Sequence, residues 1–118
     1  MRFILSTIIF GLLTSASFAQ HANKESHYQE FLCNSLDGVM EYRLQDKTRV
    51  DCLTGDYAIE VDFQEKAYDC IGQALYYGIK TNRSPACALI VKEKQNSYVN
   101  RLNVVAEYYG IKVILIEE

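Results

Sequence analysis

Asp51 and Glu60 stand nine residues apart, Asp62 lies two beyond, and Lys66 four beyond that. Carboxylates gathered in one place repel one another and lose hydration, at a cost on the order of several kcal/mol unless a cation compensates. A hard divalent ion with oxygen ligands is the natural compensation. Mg²⁺ held by one or two carboxylates and a substrate phosphate is a common form of such a site. An amine such as Lys66 can orient an attacking water or offset charge developing on a phosphate. Gln73 and Tyr77 continue from Lys66 at helical spacing, adding an amide and a phenol to the same stripe.

These groups meet only if the chain folds to bring them together. Alternation over residues 39–44, 49–53 and 57–63 predicts three strands in a meander, separated by polar turns. One face would be apolar, with Met40, Tyr42, Leu44, Val50, Cys52, Ile59 and Val61. The other would carry Glu41, Arg43, Arg49, Asp51, Glu60 and Asp62. A helix is expected before the meander, over residues 27–36, stopped by Asp37-Gly38. After it come a helix over 65–79, a fully apolar strand over 86–91, a helix over 96–109 capped by Gly110, and a strand over 111–116. The order αβββαβαβ defines an α/β fold: a mixed sheet of about five strands with helices on both faces. In the helix over 65–79, Ala67, Ile71, Ala74, Leu75 and Gly78 form the expected core stripe. Lys66, Cys70, Gln73 and Tyr77 form a second stripe that can face the acids.

The segment Arg49-Val-Asp-Cys-Leu-Thr-Gly-Asp-Tyr-Ala-Ile-Glu-Val-Asp-Phe resembles the Asp…Glu-x-Lys signature of the PD-(D/E)XK nuclease superfamily. In that superfamily an Asp ends or bends the second strand, and Glu-x-Lys lies on the third. The order αβββαβ is also its restriction-endonuclease-like core. Ile71-Gly-Gln-Ala-Leu-Tyr-Tyr-Gly resembles the Gln-x-x-x-Tyr helix of its phage-exonuclease and recombination-nuclease branch, with Gln73 and Tyr77 in the matching places. The likeness spans Val39 to Ile116. One departure stands out: Asp62 occupies the lysine slot, and Lys66 is the nearest substitute. The resemblance implies that Asp51 and Glu60, with Asp62 as a third ligand or outer acceptor, hold Mg²⁺ or Mn²⁺. It also implies that Lys66 and Gln73 assist hydrolysis and that Gln73 and Tyr77 contact a nucleic acid, DNA or RNA.

The chain has 118 residues and a formal charge of −3, so it has room for one domain and exerts no overall attraction for polyanions. Arg2, the apolar run Phe3–Leu13 and the small residues of Ser17-Phe18-Ala19 describe a secretory signal peptide over residues 1–19, an uncleaved anchor being the competing reading. The mature domain would be residues 20–118, secreted or periplasmic. Four cysteines in an exported chain suggest two disulfides. No two cysteines have zinc-ligand spacing. Cys52 falls on the apolar strand face that the first helix should cover, which pairs it with Cys33. Cys70–Cys87 follows by subtraction, with a free thiol at Cys70 as the alternative.

The resulting expectation is an exported, metal-dependent phosphodiesterase. The alternatives are a nuclease-fold protein that binds without cutting and a disulfide-stapled scaffold whose charged face is idle. A homodimer would enlarge the small substrate-binding surface of so short a chain.

Overall fold

Residues 86–91 are all buried, and their alternate side chains feed two separate cores. They belong to the middle of the sheet in the computed structural model, which describes residues 21–118; the expected leader over residues 1–19 lies outside the described residues. The strands are β1 (Val39–Arg43), β2 (Arg49–Leu53), β3 (Tyr57–Phe63), β4 (Ser84–Val91) and β5 (Lys112–Glu117), lying side by side in chain order. The first three pair antiparallel, and β3, β4 and β5 pair parallel. This is the expected mixed α/β sheet.

Helix α1 (Glu25–Ser35) covers one face, setting Tyr28, Leu32 and Cys33 against Cys52, Ile59, Val61, Ala88 and Ile90. Helices α2 (Ala67–Thr81) and α3 (Ser97–Tyr109) cover the other, packing Cys70, Leu102 and Ala106 on Cys87, Leu89 and Val91. The Asn96 side chain caps α3 by accepting from the Val99 N–H at 2.9 Å, and Gly110, at φ 68°, ends it in the left-handed conformation that glycine adopts without strain. A 3₁₀ turn, Gln64–Lys66, precedes α2. β4 begins two residues before the apolar run, because Ser84 pairs with Tyr57 and donates to the Asp56 carbonyl at 3.0 Å.

Cys33 is bonded to Cys52 and Cys70 to Cys87, the same two pairs named above, with Cα separations of 5.6 and 5.9 Å. One bond pins α1 to β2; the other pins α2 to β4. Cys70 is therefore part of the core and does not belong with the site stripe. Two disulfides fit a location outside the cytosol, and no helix among the described residues is long and apolar enough to cross a membrane.

The expected faces of the meander need one correction. Val50 and Cys52 were assigned to a common face. Val50 instead packs with Tyr77 of α2, whereas Cys52 is bonded to α1 on the opposite side. Alternation breaks at Asp51, and its neighbour across the hairpin, Glu41, has φ 54°, left-handed for a residue that carries a Cβ. Both strands reverse their facing at the Glu41/Asp51 step. The stripe of α2 is rotated as well: Cys70 and Tyr77 join Ala67, Ala74 and Gly78 in the interior, while Ile71 and Leu75 are only half-buried.

Candidate functional site at the strand fork

The reversal at Asp51 opens the sheet. β2 and β3 pair through Cys52–Ile59 and Leu53–Ala58, and there the ladder stops. At the next position carboxylates take over from backbone carbonyls. The Val61 N–H donates to Asp51 Oδ2 at 2.8 Å, and the Asp51 N–H donates to Glu60 Oε1 at 3.4 Å. The hairpin of β1 and β2 leaves β3 at this fork, and three acids line it: Asp51, Glu60 and Asp62.

Glu60 is 3% exposed and Asp62 7%, while Asp51 is half-buried. Burial, then the neighbouring Asp51 charge, pushes Glu60 up to about 9. Burial also raises Asp51, although the Val61 N–H works against that rise. Asp51 and Glu60 are hydrogen-bonded through their carboxyls, so the pair holds a proton well above the usual carboxylate range. Burial, with the charges of Glu25 and Asp51, raises Asp62 to about 7; Lys66 opposes that rise.

Helix α1 brings two groups that the sequence reading missed. Glu25, in its first turn, stands close enough to Asp62 to raise it and lies within the field of Asp51 and Lys66; burial raises its own pKa. Gln29, one turn later and buried, donates to Glu41 Oε1 and to the Asp51 carbonyl, both at 2.9 Å. It braces the two strands where their facing reverses. The available signal was the i, i+4 spacing of Glu25 and Gln29, hidden in a polar stretch without apolar periodicity.

The residues expected from α2 separate. Lys66 is exposed, and its charge reaches Asp62 and Glu25. Tyr77 is buried against Val50, with its phenol beside Thr48 and the Arg49 backbone; burial raises its pKa, and Glu60 and Asp51 add to the rise. Gln73 is exposed, and its amide donates to the Asp69 carbonyl of its own helix at 3.3 Å. Tyr76 reaches across to Asp46 in the β1–β2 turn and ties the hairpin to α2. Hydrogen bonds from Thr48 and Tyr76 hold Asp46 down at about 2.

An oxygen donor set of this kind suits a hard cation. Asp62 Oδ2 is buried with no hydrogen-bond partner among the described residues, beside acids whose pKa values are raised. Among the described residues no three His, Cys, Asp or Glu side chains converge to hold an ion by themselves. The arrangement therefore offers one or two carboxylates, with the remaining oxygens to come from water or substrate. A cavity of about 440 Å³ bounded by Leu32, Tyr57, Ile59 and Ile114 lies toward the other end of β3, away from the acids. Comparison with known protein families, with curated proteins and with solved structures returned no match.

Proposed function

We propose that this chain is an exported, divalent-cation-dependent phosphodiesterase of PD-(D/E)XK type that cuts DNA or RNA, secreted or periplasmic. The observation that supports it most is the fork, where half-buried Asp51 and buried Glu60 and Asp62 stand with an amine, Lys66, at the rim. Asp51 and Glu60 would hold Mg²⁺ or Mn²⁺, with Asp62 as an outer acceptor and the remaining oxygens from water or substrate. Bound there, the ion supplies Lewis acidity toward a phosphodiester and toward water.

The protein's own part is positional. Gln29 and the Val61 N–H fix the Asp51 backbone and carboxylate. Lys66 brings positive charge to the rim, where it would orient water or balance the phosphate. Glu25 extends the acid chain to the surface and would pass a proton between Asp62 and solvent. Tyr77, packed under the hairpin, holds the fork open from the α2 side.

The test is hydrolysis of single- and double-stranded DNA and RNA with Mg²⁺ or Mn²⁺. Cleavage is expected to disappear with chelator and in Glu60→Ala. Cleavage that survives Glu60→Ala eliminates this site. A second reading, a nuclease-fold protein that binds without cutting, is favoured by Asp62 in the lysine slot and by Gln73 bonded to its own helix. It predicts nucleic-acid or divalent binding by calorimetry with no cleavage under any of these conditions.

A further inference from the structure

The sheet has two edges, and they differ. β1 is exposed along its whole length and interrupted by the left-handed Glu41, a device that spoils an edge for pairing. β5 has no positive φ, and its central residues Val113–Ile116 remain half-exposed on both faces. The Glu118 N–H donates to the Val91 carbonyl at 3.0 Å, and Val91 stands opposite Glu117. Backbone groups alternate in direction along a strand. Lys112, Ile114, Ile116 and Glu118 therefore turn theirs toward β4, while Val113, Leu115 and Glu117 turn theirs outward, unpaired among the described residues.

We propose that β5 pairs antiparallel with β5 of a second copy of this chain, about a two-fold axis normal to the sheet, joining two five-stranded sheets into one. Such an axis keeps each face on its own side, so only residues of the same face can stand opposite. One register of that kind gives all three outward residues an outward partner. Leu115 meets the partner's Leu115 on the axis, and Val113 meets the partner's Glu117 reciprocally. The intervening pairs, in which side chains approach most closely, then set Ile114 against the partner's Ile116 and Lys112 against the partner's Glu118.

The register chosen by backbone direction thus places opposite charges together at both ends of the strand, Leu115 and the Ile114–Ile116 pairs at its centre, and Val113 beside the partner's Glu117. This coincidence carries the proposal. Both charges are steadied on the α1 face: Lys112 Nζ lies 4.6 Å from the Tyr57 ring centroid, and Glu118 is hydrogen-bonded to His21. On the other face, α3 packs against β5 at this edge.

Sedimentation equilibrium of the wild-type chain should give twice the monomer mass. Lys112→Glu is expected to raise the dimer dissociation constant on the order of tenfold or more, and adding Glu118→Lys should restore it by exchanging the charges. Glu117→Pro changes an exposed residue whose N–H points away from β4, so it should dissociate the dimer while leaving the circular dichroism of the monomer unchanged. A monomer at every concentration overturns the proposal. So does a dimer indifferent to Lys112→Glu and Glu117→Pro, or one that the charge exchange fails to restore. These outcomes are independent of whether the protein cleaves nucleic acid.

Discussion

Glu60 shows how strongly one position can set behaviour. Its folded pKa of about 9 lies far above the ordinary 4.5 of a glutamate, and that of Asp62, about 7, lies above 3.8. Between the ordinary and the raised values the unfolded chain has released protons that the folded chain still holds. Stability therefore falls as pH rises through this window and levels off above the raised values. The cation-free protein should have a higher urea midpoint at about pH 5 than at about pH 8.5. Glu60→Gln should flatten that slope, and Mg²⁺ should raise the midpoint chiefly at the alkaline end. A midpoint that climbs with pH would contradict the buried-acid account. Gly38 is a second decisive position: a Cβ there would lie 2.5 Å from Cys52 Sγ and 2.7 Å from Cys33 Sγ. Gly38→Ala should cost about 1–3 kcal/mol in denaturant titration, because neither bonded sulfur can move aside.

At the scale of elements, order and type were legible. Alternation and helical periods marked where strands and helices lie, and β4 is apolar throughout because both its faces are covered. The broken alternation at Asp51 was not legible. It depends on a carboxylate capturing a backbone N–H of another strand and on a left-handed Glu41, and neither has a local pattern. The placement of Lys66 and Gln73 was legible only in part, because a helical stripe gives a direction without saying what lies opposite. Their rotamers put Lys66 in the field of the acids and Gln73 back on its own helix. Lys66→Ala should accordingly lower kcat/KM by about 10²–10³, and Gln73→Ala by less than about tenfold. Steady-state kinetics on one oligonucleotide would settle the ranking, and equal losses would show that Gln73 turns toward the substrate.

Across the whole molecule, the two disulfides work from opposite faces of one sheet. Cys33–Cys52 secures the α1 side and Cys70–Cys87 the α2 side, closing loops with sequence separations of 19 and 17 residues. The Cys33→Ala/Cys52→Ala variant should lose about 3 kcal/mol by chemical denaturation. Cys52 is also the neighbour of Asp51, and its partner sits on the helix that supplies Glu25 and Gln29. Inside a reducing cell this strand and helix would be held together only by packing and by the Gln29 hydrogen bonds. If the chain is the nuclease proposed above, it would stay slack and harmless to the nucleic acids of the cell that makes it, and would tighten into working order only in oxidising surroundings.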